Sequence, residues 1–330
     1  MSLRVAVVGG GAVGSACARA LAERGARVRI LDAGHGRAAG SWAAAGLLTA
    51  ARPHLLPEAV HALAARSLEL WQEVAARRPE VELRLVGLLL LGDDPDWLAF
   101  RAARGLSSES ASWHGTPAHR FPEVEVVRSS RAAAALRDGL PVERAEVVDL
   151  ASLRREVDLV VLAAGAWSSP LLAAAGLDLA VRPRRGQMLR FAAGRLSTAL
   201  VVAGGDELAV PRADGSVVVG TTLEDVGFDP RTVPDDLARL EAWARAAIPG
   251  LGRRVDTWAG LRPCAAGAAP TVGWAAPDVM VAVGHHRNGL LLAPATAELV
   301  ADLALGRPPQ VPADALAPAA RAQASSSTST

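Results

Sequence analysis

Residues 284–294 read GHHRNGLLLAP and set His285, His286, Arg287 and Asn288 between two apolar stretches. Asn288 is the only asparagine in the chain. A guanidinium is always charged, and its fork of donors matches a carboxylate in a two-pronged, charge-assisted hydrogen bond. A second candidate, Arg262, stands in GLRP. Two guanidinium groups from distant segments would fix both the position and the rotation of a carboxylate-bearing ligand. Each such bond is worth about 1.5–3 kcal/mol, used mainly for orientation. The competing reading is structural: Lys+Arg number 35 and none is Lys, so arginine fills every basic role. His285 and His286 are available as bases or as structural and cofactor-contacting groups.

A second constellation lies at the start. VVGGGAVG supplies Gly9, Gly11 and Gly14 in GxGxxG spacing between an apolar run and a helical stretch. Gly9 permits a tight turn, Gly11 a close backbone approach to a pyrophosphate, and Gly14 close packing of helix on strand. The helix N-terminus stabilises the phosphate charge. Asp32 ends the next apolar run, placed to bond a ribose hydroxyl. These features do not separate NAD from FAD. GSWAAAGLL (40–48) offers Ser41 to a phosphate and small residues beneath a flat ring, or is the alanine-rich start of a helix. VDLVVLAAGAWS (157–168) repeats the strand-then-glycine pattern around Gly165, and two separated glycine turns suit an extended FAD better than NAD.

The elements that must position these groups follow from periodicity. Residues 3–8 and 27–32 read as buried parallel strands around a helix at 12–24, a βαβ unit. Helices are expected at 58–77, 97–104, 129–137 and 234–249, and a strand-loop-helix at 279–304, with Pro294 in the first turns of that helix. Alternating segments at 181–191, 206–222 and 255–263, with a hairpin at 213–215, predict antiparallel strands. The fold class is therefore α/β: a Rossmann-like FAD-binding domain with an inserted, mostly antiparallel α+β substrate domain. The first domain is assigned residues 1–80, 140–180 and 255–310, the second 81–139 and 181–254. Residues 311–330, ending in AQASSSTST, are expected to form a disordered tail.

Composition narrows the function. Apolar residues make up 51% and charged residues 21%, with a net charge of +1, which gives no reason to expect nucleic acid or a membrane as partner. Cys17 and Cys264 form neither a metal spacing nor a disulfide framework, so a reducing cytoplasm and no metal are expected. With neither Lys nor Tyr present, a lysine Schiff base and a tyrosine acid are excluded.

VVGGGAVGSACARALAERG, SWAAAGLL, VVLAAGAWS, VRPRRGQML, VPRADGSVVVGTT, WAGLRP and GHHRNGLLLAPATAELVADL occur in this order. Together they resemble the FAD-dependent amine oxidases of the D-amino-acid oxidase superfamily, and within it the glycine oxidases that feed thiazole synthesis. The resemblance spans nearly the whole chain and is weakest over about 80–156. It implies that Ala12, Val13, Asp32, Ala33, Gly40, Ser41, Ala45, Gly46 and Leu47 contact a non-covalent FAD. The backbone near Val147 would hold the adenine, and His285, His286, Arg287, Asn288, Gly289, Leu290 and Leu291 would wrap the flavin. Arg262 and Arg287 would hold the substrate carboxylate. It further implies hydride transfer from glycine, a small amino acid or a secondary amine, reoxidation by O2 to H2O2, and release of an imine or oxoacid. That chemistry leaves little for a base to do, so the histidines are read as structural or cofactor-contacting. Thiazole-synthesis enzymes are the implied partners, and the sequence does not specify whether a homo-oligomer forms. Alternatives are an FAD-dependent dehydrogenase of D-amino acids, proline or sarcosine, a flavin-binding relic, and an NAD-dependent dehydrogenase.

The chain departs from the family pattern in its pocket. Leu208 stands where an aromatic is usual, Leu223 is the other expected wall, and Ala265–Ala268 replace a Thr-x-Asp-Gly turn after GLRP. A more apolar pocket and an altered loop around Arg262 are expected. Cys264 directly follows RP and does not match a flavin-attachment position.

Overall fold

The strands Leu159–Leu162 and Val279–Val283 are buried at every position. Such continuously apolar strands belong in a parallel sheet covered on both faces. The computed structural model, which describes residues 2–50, 53–174 and 178–318, places them there. The six-stranded sheet runs Thr271–Ala276, Val279–Val283, Leu159–Leu162, Arg4–Val8, Arg27–Asp32, Val142–Arg144. Every neighbour pairs in parallel except Thr271–Ala276, which is antiparallel to Val279–Val283. Alternate residues face two cores: Val5 and Val7 enter one with Leu21 and Leu292, Ala6 and Val8 the other with Leu150 and Leu172.

The second sheet has eight strands, from Arg254–Ala265 and Val181–Phe191 at one edge to Thr116–Phe121 and Glu109–Trp113 at the other. Its pairs are antiparallel except Ala199–Val202 with Leu88–Leu91. One face packs Leu189, Phe191, Val217 and Val219 on Leu237, Leu240 and Ala244 of the helix Pro234–Ala247. Period-2 alternation turns the opposite face, with Gly186, Met188 and Arg262, toward a cavity between the sheets.

The structure differs from the sequence reading at several points. Residues 129–137, expected with the inserted domain, contribute Ala132, Ala135 and Leu136 to a core of the parallel sheet. Conversely, Arg254–Ala265 belongs by its hydrogen bonds to the second sheet, paired with Val181–Phe191. Pro294 lies in the second turn of the helix Gly289–Ala304, within the expected first turns. Having no N–H, it leaves the Leu290 carbonyl without its helical donor. The buried Trp71 indole N–H takes that carbonyl at 3.0 Å. Residues 311–318 are no tail: Val311 and Leu316 are buried in the first core. The rest of the expected tail, residues 319–330, lies outside the described residues.

Candidate functional site

A cavity of about 820 Å³ runs from the glycine turn at Gly9–Gly11 to the face of the second sheet. At the glycine end, Gly9 adopts a φ of 106°, and a Cβ on Gly14 would lie 2.0 Å from the Gly9 carbonyl oxygen. Both positions therefore require glycine. The helix Ala12–Glu23 opens on Gly11 with no side-chain cap from its own N-cap residue. Ser41 reaches across instead, its Oγ accepting the Ala12 N–H at 2.9 Å. Asp32 lines the cavity. Its Oδ1 accepts from Gly34 N–H at 3.0 Å, and its Oδ2 from Arg137 at 3.1 Å. Arg144, Glu146 and Val147 line the same cavity, and Arg144 is paired with Asp32 in the sheet.

At the far end Arg262 sits within a strand, in register with Arg184, while Gly186 pairs with Gly260. The ladder holds it, so the loss of the Asp-Gly turn does not disturb its seat. The guanidinium lies flat on Gly186, where a Cβ would come within 2.0 Å of it. It donates to the Thr221 hydroxyl at 2.5 Å and to the Thr222 carbonyl at 3.0 Å. Burial, with Arg287 close by, pushes its pKa down to about 10, which leaves it charged at neutral pH. Arg287 lines the same end but donates to Asp206 at 2.7 Å.

The turn before the last helix supplies unpaired polar atoms. His286 has a φ of 49°, and its Nε2 is buried without a partner, as is Asn288 Oδ1. Burial, then Arg287 and Arg262, push the His286 pKa down to about 4, so it is neutral near pH 7. His285 is buried against Thr296, its Nε2 at 3.1 Å from Oγ1, which makes it structural.

The cavity wall thus gathers Gly9, Gly11, Val13, Asp32, Ala33, Gly40, Ser41, Ala45, Gly46, Leu47, Val147, Gly165 and His285 to Leu290, together with Leu208 and Arg262. Ala12, Gly14 and Leu291 stand behind the wall: Ala12 acts through its N–H to Ser41, Gly14 packs on Gly9, and Leu291 is in the core. Leu223 does not line the cavity. After Thr222 the chain leaves it, because Glu224 pairs with Arg185 through backbone and side chain. Sequence reasoning missed Arg137, Trp42, Met188, Thr221 and Asp206. Asp206, two residues before Leu208, was the legible one: a carboxylate entering an apolar strand.

The donor set fits FAD. A phosphate cradle closed to any side chain lies at one end, and orphaned buried polar atoms with a cationic seat at the other. A nucleotide sheet joined by such a cavity to an inserted antiparallel sheet defines a flavin-dependent oxidoreductase. Residues 4–303 match the family model described as DAO, FAD dependent oxidoreductase, and the chain belongs to that family. It is 34% identical to a glycine oxidase of Pseudomonas aeruginosa over 97% of this chain and 100% of that protein. It is 30% identical to the Bifunctional protein ThiO/ThiG of Nostoc sp., over 92% of this chain and 53% of that protein. The crystal structure of glycine oxidase from Geobacillus kaustophilus superposes with a TM-score of 0.83 at 27% identity, covering 96% and 98% of the two chains. The chain is an FAD-dependent amine or amino-acid oxidase of the glycine oxidase type. No helix among the described residues is long and apolar enough to cross a membrane.

Proposed function

We propose that the chain oxidises glycine or a comparably small amino acid or secondary amine, with O2 as final acceptor and H2O2 and an imine or oxoacid as products. The observation that carries this reading is the seat of Arg262: a charged, fully directed guanidinium at the end of the cavity opposite the glycine turn. FAD, which Gly9–Gly11, Asp32 and Ala45–Leu47 would hold, supplies a two-electron acceptor when bound. The chain's own groups do the positioning. Arg262 receives the substrate carboxylate with the donors that Thr221 and Thr222 leave free. Arg287, already neutralised by Asp206, closes that end and sets rotation less strongly than Arg262. Met188 and Leu208 form an apolar wall that favours a small substrate and excludes water. His286, neutral and weakly basic, serves as a cofactor-contacting group and not as a base. The helix beginning at Gly289 presents its positive end to the cavity and favours negative charge on the reduced cofactor.

The resemblance to thiazole-synthesis oxidases, together with the fused architecture of the Nostoc relative, supports delivery of the imine to a thiazole-forming partner. The test is a visible spectrum of the purified protein before and after anaerobic glycine, followed by peroxide detection in air. Bleaching of a flavin band and peroxide formation are expected. A flavin band unmoved by glycine, sarcosine, proline and D-alanine would refute the substrate class.

A further inference from the structure

Arg212 lies outside the cavity wall, in the strand-end sequence VPR, and the chemistry described so far does not use it. It makes no ion pair among the described residues. Its two terminal nitrogens donate instead to backbone carbonyls of separate segments, Val127 at 3.0 Å and Ala45 at 2.8 Å. Burial, with Arg128 nearby, pushes its pKa down to about 10. A partly buried cation whose hydrogen bonds all go to carbonyls loses solvation, so its position needs a reason.

The reason lies in what it grips. The Ala45 carbonyl is held by Arg212, and the next carbonyl, Gly46, by the Val127 N–H at 2.8 Å. Neither Arg212 nor Val127 lines the cavity, whereas Ala45, Gly46 and Leu47 all do. In a trans peptide the carbonyl and the N–H point in opposite directions. Two successive carbonyls pulled outward therefore turn two successive N–H groups, those of Gly46 and Leu47, inward. Neither N–H has an acceptor among the described residues. Gly46 has a φ of 82°, and a Cβ there would meet the Val127 carbonyl oxygen at 2.0 Å. Adjacent N–H groups in such a turn form an anion-favouring nest. A cation behind the Ala45 carbonyl polarises that peptide and strengthens its N–H as a donor.

We infer that Arg212 is a positioning residue whose guanidinium, acting through the Ala45–Gly46 peptide, aims and charges a pair of backbone donors that stabilise the reduced flavin. This rests on the FAD reading of the cavity. Parent protein is first titrated with FAD, and failure to bind would overturn that reading by itself. Given binding, the flavin midpoint potential and the FAD Kd are measured for Arg212→Gln and Arg212→Lys holoenzymes by dye equilibration and fluorescence.

With Gln, the reduction equilibrium shifts at least tenfold toward oxidised flavin. With Lys, which keeps the charge but not the two-pronged grip, the potential stays within threefold of the parent while the FAD Kd rises about tenfold. Equal potentials in Gln, Lys and parent proteins would reduce Arg212 to a purely structural role and overturn the inference. If the Gln variant does not fold, the Lys variant decides: an unchanged FAD Kd, or a potential that falls, overturns it.

Discussion

Replacing Gly186 with alanine tests the seat of Arg262 directly. The new Cβ would stand 2.0 Å from one terminal guanidinium nitrogen, 2.1 Å from the other and 2.2 Å from Cζ. A methyl group on this rigid strand does not yield, because Gly186 is paired across the ladder with Gly260. The guanidinium must therefore withdraw by roughly 1 Å, since real carbon contacts stay beyond about 3 Å. Withdrawal breaks the bonds to the Thr221 hydroxyl and the Thr222 carbonyl. It also misaligns the fork for a ligand carboxylate. A charge-assisted bond is worth about 1.5–3 kcal/mol, so kcat/KM should fall roughly 10- to 150-fold. Acetate, titrated against the holoenzyme through its effect on the flavin spectrum, should weaken by a similar factor. FAD affinity should stay within about threefold. Acetate binding and kcat/KM both at parent values would refute the assignment of Arg262 as the carboxylate holder.

Arg262→Lys should lose at least tenfold in kcat/KM because a point charge cannot span Thr221, Thr222 and a carboxylate together; parental steady-state kinetics would contradict this. Asp206→Asn should free Arg287 and strengthen malonate over acetate, and equal relative affinities by spectral titration would show that Arg287 faces elsewhere. Trp71→Phe should lower stability by about 1–3 kcal/mol in denaturant titration, because it leaves the Leu290 carbonyl buried and unpaired. The His286 pKa is depressed from 6.5 to about 4, so the unfolded chain takes up its proton first as pH falls. Its contribution to stability is intact above pH 6.5 and is lost toward pH 4; His286→Gln should flatten the thermal midpoint across that window.

How much was legible depended on whether the signal was local. The glycine turn, Asp32 and the strands around them are written in consecutive residues with strong periodicity, and Val181–Phe191 matches its expected span end to end. The hairpin Glu109–Trp113 with Thr116–Phe121 was missed because only Ala118 and Phe121 in it are buried, so no apolar alternation marks it. Pairings across the chain left no trace. Asp206 meets Arg287 81 residues away, Arg137 meets Asp32 at a distance of 105, and Trp71 caps a carbonyl 219 residues on. The misplacement of residues 129–137 has the same origin, since Ala132, Ala135 and Leu136 declare an apolar face but not which sheet receives it. The resemblance, by contrast, carried the cavity-lining residues because it rests on motifs and not on periodicity.

The order of strands in the parallel sheet has a consequence for synthesis. Arg4–Val8 lies next to Leu159–Leu162, which in turn lies next to Val279–Val283. The helix that opens at the glycine turn packs on Gly289–Ala304. In a nascent chain the nucleotide loop is therefore made well before the elements that support it. Until nearly three hundred residues have been made, the Leu159–Leu162 strand has an open flank and Leu21 has no Leu292 to cover it. Loading of the cofactor must then await the helix Gly289–Ala304, and the early half-sheet keeps exposed apolar surface until that helix is made.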